Sequence, residues 1–146
     1  PAQVQHFLDA AQPTASTLMA LDFEDNTASE MSIDQAVDFL TRLDAALGRK
    51  AKIYSGNRIK ELIVHADQAT RDFLGGHGLW LCEYGPAAKL IDANGKPLPW
   101  ANWWLWQRDA DGFGPDHHNA AGILTPNLDQ NVYAGTPTTL AAEWAS

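Results

Sequence analysis

Apolar residues recur along this chain at two spacings, one suited to helices and one to strands. Val4, Phe7, Leu8 and Ala11 stand at helical spacing and predict a helix over 3–11, stopped by Pro13. Residues 17–24, Thr-Leu-Met-Ala-Leu-Asp-Phe-Glu, form a short, mostly apolar run that ends at the turn formers Asp25-Asn26, and they predict a buried strand. Ser32 opens the clearest helix. Ser32 and Gln35 have capping-box spacing, Ile33, Val37, Leu40 and Leu47 share a face, and Gly48 terminates it. Arg49 and Lys50 then lie at the negative end of its dipole. Residues 51–56 predict a second strand, and 58–74 one or two short helices that end at Gly75-Gly76.

The pattern then changes. Three strand-like runs, 78–84, 102–108 and 128–133, follow without a good helix between them, joined by loops rich in Gly, Pro, Asn and Asp. The tail, 138–145, predicts a short helix pinned by Leu140 and Trp144. Strands alternating with helices predict a single α/β domain over 1–146 built on a parallel sheet, with a helix-poor C-terminal end.

Composition narrows the possible functions. The chain has 146 residues, is 45% hydrophobic and contains six tryptophans, which suits one globular core. A net charge of −8 argues against nucleic-acid binding and gives no long-range attraction to an anionic surface. Cys82 is the single cysteine, so no intrachain disulfide forms, and its apolar surroundings predict a buried thiol. No apolar run approaches the ~18 residues of a membrane span, and no basic-then-apolar leader opens the sequence. The start at Pro1 rather than Met reads as processing, trimming or a fragment.

Side chains alternate across a strand, so Leu18, Ala20, Asp22 and Glu24 share one face of 17–24. Met19, Leu21 and Phe23 occupy the other, which suits packing beneath helices. Two carboxylates therefore stand at the C-terminal end of a strand, where α/β barrels keep their chemistry. Their mutual repulsion raises the pKa of one, which can then stay protonated as a general acid for glycoside hydrolysis. Taken alone, Asp-x-Glu ahead of Asp25-Asn26 is a weak motif that reads more simply as a solvated strand end.

Residues further along the chain favour the catalytic reading. Leu21-Asp22-Phe23-Glu24, Tyr54-Ser55-Gly56, Leu79-Trp80-Leu81-Cys82-Glu83-Tyr84, Trp106-Gln107 and Leu128-Asp129-Gln130-Asn131 resemble, in order and spacing, the family 25 glycoside hydrolases. These are the Chalaropsis-type lysozymes, which include many phage endolysins and secreted muramidases. The resemblance implies an irregular TIM-like (β/α)5β3 barrel whose last three strands lack proper helices between them. It implies hydrolysis of the β-1,4 bond between N-acetylmuramic acid and N-acetylglucosamine in bacterial peptidoglycan, without metal or cofactor. By position it makes Glu24 the general acid and Asp22 its partner in a substrate-assisted, retaining reaction. Asp129 matches the late active-site aspartate, and Tyr54, Trp80, Tyr84, Trp106 and Gln107 match strands that line the sugar groove. The action implied is extracellular, or follows release during phage lysis, at the bacterial wall.

One departure stands out. The family's first three strand–helix units, with an aspartate on the first strand, have no counterpart here, and Pro1–Ala11 resembles the helix before the fourth strand. Five strands do not close a barrel, so a missing N-terminal segment or a second chain is expected to complete the wall.

Other features stay open between two readings. Trp80 and Trp106 suit sugar stacking and core packing equally, and Trp100, Trp103 and Trp104 suit a substrate rim or packing. Trp144 reads as a C-terminal anchor, and His6, His65 and His77 have no evident partner. Asp116-His117-His118 reads as a solvated turn rather than a metal site, and Asp109-Ala110-Asp111-Gly112 lacks the later ligands of a calcium loop. A non-catalytic glycan-binding remnant is the main alternative function. A chitin-type glycosidase is disfavoured because Thr17 and Ala20 stand where its spaced aspartates belong.

Overall fold

The computed structural model describes residues 2–26, 28–110, 113–114 and 128–144. Among them, one sheet of five strands runs in the order β1 (Ala20–Asp22), β2 (Lys52–Ser55), β3 (Leu79–Cys82), β4 (Leu105–Asp109) and β5 (Gln130–Tyr133). The helices are α1 (Ala2–Ala11), α2 (Ile33–Leu47), α3 (Asn57–Leu62), α4 (Gln68–Gly75) and α5 (Pro137–Glu143). The expected α/β class is present, and among the described residues no helix stands between β3 and β5.

β1 to β4 are parallel as the alternation of strands and helices predicts, but β5 runs antiparallel to β4, a departure from that parallel sheet. Side-chain alternation is the same in either direction, so the sequence pattern carries no sign of the reversal. The first strand is also shorter than the run 17–24. Residues 14–17 form a hydroxyl-rich turn in which the Thr17 amide bonds the Thr14 carbonyl, so pairing begins only at Ala20. The stretch 58–74 resolves into α3, a 3-10 turn at Ile63–His65, and α4. The break falls at Asp67, whose carboxylate accepts the Thr70 amide at 2.8 Å and caps α4.

α2 forms as its caps dictate. The Ser32 and Gln35 side chains each accept the other residue's backbone amide, and Gly48 ends the helix. Its inner face, Ala36, Leu40 and Leu43, packs with Leu21, Phe23, Ile53, Leu79, Leu81 and Trp106 from one side of the sheet. Ile59, Ile63 and Leu74 complete this core.

His77, which had no evident partner in the sequence, is buried between two acceptors. Nε2 lies 2.9 Å from Asp44 Oδ2 and Nδ1 lies 2.9 Å from the Phe73 carbonyl. Asp44 also accepts the Ala51 amide at the start of β2, so one pair ties α2, α4 and the sheet together. Trp100 donates to the His77 carbonyl at 2.8 Å, and Trp104 is buried beside Gly78. Both tryptophans therefore pack at the N-terminal end of the parallel strands. Trp144 is half exposed, its ring 6.2 Å from that of Trp104. Among the described residues no helix is long and apolar enough to cross a membrane.

Candidate active site

The face of the sheet away from this core carries the polar side chains. Register pairs Asp22 with Tyr54, Tyr54 with Trp80, and Cys82 with Gln107. Paired residues share a face, so Asp22, Tyr54, Trp80, Cys82 and Gln107 all point the same way. With Glu24 and Asp129, most of them line a hollow of about 420 Å³. A second cleft of about 550 Å³ opens on the far side of Glu24, toward Arg58, Cys82 and Tyr84.

Glu24 is held by its neighbours' backbone. Phe23 donates to the Tyr54 carbonyl, and the buried Ser55 hydroxyl donates to the Phe23 carbonyl while accepting the Ile59 amide. The end of β1 is thus fastened to β2 and to α3. Beyond Glu24, the Arg58 guanidinium bonds Asp25 and Glu30 at 3.2 Å each and the Met31 carbonyl at 3.0 Å, which fixes the loop that leaves the site.

The electrostatics shift both carboxyls the same way. Burial raises the pKa of Glu24, and the carboxylates of Asp22 and Asp25 raise it further. Burial also raises Asp22. The Tyr54 phenol is pushed far up by burial, by contact with the Cys82 thiol and by the Glu24 charge, so it acts as a neutral hydrogen-bond donor. Its hydroxyl donates to Gln107 Oε1. The Tyr84 phenol is raised in the same way, by burial, by Cys82, and by the charges of Asp129 and Glu24. Trp80 lies edge-on to Tyr54 at 5.2 Å and donates Nε1–H to Asn131 Oδ1 at 2.7 Å, which joins β3 to β5.

The structure therefore gathers Asp22, Glu24, Asp129, Tyr54, Trp80, Tyr84 and Gln107 around adjoining hollows. It does not bring Trp106 with them. Trp106 neighbours Gln107 on β4 and so points to the opposite face, where it is 8% exposed, packs in the core and donates to the Glu83 carbonyl. Its core reading holds, since adjacent strand residues cannot face the same groove. Cys82 is corrected in the other direction. The expected buried thiol is only half buried and lines the Glu24 cleft, as its position two residues after Trp80 requires. Arg58 and Asn131 went unnoticed in the sequence, because each acts through a partner distant along the chain. Among the described residues no group of His, Cys, Asp and Glu is arranged to hold a metal ion. Asp116-His117-His118, Asp111 and Gly112 lie outside the described residues.

Asp22 and Glu24 thus stand at the C-terminal end of β1 in an α/β sheet, with aromatic and amide side chains around them. The sequence profile of the glycosyl hydrolases family 25 matches residues 1–117, and the chain belongs to that family. Similar solved structures include the muramidase from Acremonium alcalophilum, at 18% identity and a TM-score of 0.63, covering 99% of this chain and 65% of that one. The Clostridium perfringens spore cortex lytic enzyme SleM is similar at 20% identity and a TM-score of 0.58, covering 94% of this chain and 45% of that one. At such identities the likeness is one of fold, and the chain spans less than two thirds of either structure. No curated protein matches it significantly.

Proposed function

We propose that this chain carries the acid-bearing portion of a muramidase that hydrolyses the β-1,4 bond between N-acetylmuramic acid and N-acetylglucosamine in bacterial peptidoglycan. The observation that supports it best is the meeting of Asp22 and Glu24 with Asp129, more than a hundred residues later, around one hollow beside Tyr54, Trp80 and Gln107. In this reading the five strands are part of an irregular (β/α)5β3 barrel. An N-terminal segment or a partner chain supplies the remaining wall.

Glu24, whose pKa is raised by burial and by its acidic neighbours, donates its proton to the glycosidic oxygen as that bond breaks. The substrate's own acetamido oxygen attacks the anomeric carbon, and the Asp22 carboxylate holds the amide N–H as it becomes positive. Glu24, now a base, takes a proton from the water that opens this intermediate, so configuration is retained. Asp129 and Gln107 present an acceptor and an amide to the bound sugars, and Trp80 offers them an aromatic face. The substrate is met at the bacterial wall, outside the cytoplasm or after release during phage lysis.

The test is clearing of a bacterial wall suspension, with reducing ends measured at N-acetylmuramic acid. Wild type should release them, and Glu24→Gln should not while keeping its fold; a fully active E24Q protein overturns the assignment. Among the described residues no strand pairs with the outer edge of β1, which favours a second reading, a glycan-binding remnant without catalysis. It predicts wall binding with no release of reducing ends by wild type.

A further inference from the structure

Phe113 is the most exposed large apolar side chain among the described residues, at 64%. Its backbone is nevertheless anchored. Ala110 and Phe113 exchange both amide–carbonyl hydrogen bonds, at 3.1 and 2.8 Å, just beyond β4. The chain on the β4 side of this bridge is buried at Asp109 and Ala110. Gly114 is pressed against it with φ +114°; a Cβ there would lie 2.6 Å from the Arg108 carbonyl and 2.7 Å from Asp109 Cγ. The bridge thus holds an aromatic ring in water, at a cost that burial of that ring would normally avoid.

The Phe113 ring lies nearly parallel to that of Tyr84, with centroids 6.1 Å apart and planes 13° from each other. Tyr84 is itself 42% exposed and lines the cleft that Glu24 opens into. Its phenol feels the charges of both Asp129 and Glu24. Tyr84 therefore lines the cleft of Glu24, and Phe113 is stacked on it with most of its own surface in water. Flat aromatic surface with carboxylates at one margin matches a pyranose ring, which is apolar on its C–H faces and bears hydroxyls at its edge.

We propose that Phe113 and Tyr84 form a stacking platform for a sugar unit beyond the bond being cleaved, so that Phe113 sets the length of glycan the site prefers. This rests on the glycan-hydrolase reading above. The platform holds the chain in register; the chemistry stays with Glu24.

The test uses the E24Q protein and N-acetylglucosamine–N-acetylmuramic acid oligomers of two, four and six sugars, with affinity measured by calorimetry. Phe113→Leu keeps apolar bulk beside Tyr84 but removes the ring face, and Phe113→Trp keeps a face. F113L should weaken the hexasaccharide about tenfold or more and the disaccharide less than threefold, while F113W binds both like the parent. Equal weakening at every length would reduce Phe113 to a structural cover for Tyr84 and overturn the proposal, as would unchanged affinity in F113L. If the parent E24Q protein binds none of the oligomers, the glycan reading itself fails, which is distinct from a parent that binds and an F113L protein that binds equally well.

Discussion

Tyr54 on β2 donates its hydroxyl to Gln107 on β4, passing over β3, at 2.5 Å. Strands two places apart are separated by about 9.5 Å, so the bond needs one long side chain and a sheet curled toward its polar face. Gln107 is largely buried at the floor of the hollow, and the bond satisfies its amide oxygen. Tyr54→Phe orphans that oxygen and removes the neutral donor beside Glu24. We expect a loss of about 1–3 kcal/mol in denaturant unfolding, with activity on wall suspensions reduced at least tenfold. An unaltered midpoint would place the bond outside the folded state's balance.

Glu24 gives a pH signature. Its folded-state pKa lies above the ordinary 4.5, so between the two values the folded chain binds more protons than the unfolded one. Stability contributed at this group is therefore present at low pH and is lost as pH rises through that window. Glu24→Gln should match or exceed the wild-type melting temperature at pH 7, and the difference should vanish near about pH 3, where both states are protonated. Under the proposed mechanism the same ionisation should set the alkaline limb of the pH–rate profile. An E24Q protein that melts well below wild type at pH 7 would contradict this sign.

Two tryptophans on opposite faces should fail differently. Trp106→Ala opens the core beneath β4 and is expected to cost about 3–5 kcal/mol. Trp80→Ala removes a half-buried ring and its bond to Asn131. It should cost less in stability and act mainly through KM. Unfolding curves and steady-state kinetics on the pair separate the outcomes.

Gly56 leaves no room for a side chain. A Cβ at this position would lie 2.6 Å from the Cys82 carbonyl, which belongs to β3 and cannot rotate away. Gly56→Ala is expected to cost about 1–3 kcal/mol and to spread β2 from β3 at the cleft, lowering activity beyond the stability loss. Thermal unfolding beside activity at 25 °C checks both.

The strand order and the Asp22–Glu24 face were legible because pleat and apolar runs are local properties. Parity would also have served further: Trp106 and Gln107 are neighbours and cannot both enter the groove, whereas Trp80 and Cys82, two apart, must share it. What the sequence hid was of two kinds. The reversal of β5 leaves side-chain alternation unchanged, so no pattern marks it. The Asp44–His77 and Trp80–Asn131 bonds join positions 33 and 51 apart, and each residue alone looks unremarkable.

Every ladder in the sheet joins strands that are consecutive in the sequence. Each strand can therefore dock as it leaves the ribosome, on the one delivered just before it. The acidic centre does not follow that schedule. A nascent chain that stops short of residue 128 holds Glu24 and Asp22 but lacks Asp129 and the Asn131 acceptor that steadies Trp80. Asp22 and Glu24 are thus made well before the late residues that share their hollow, and the order of strands fixes that sequence of arrival.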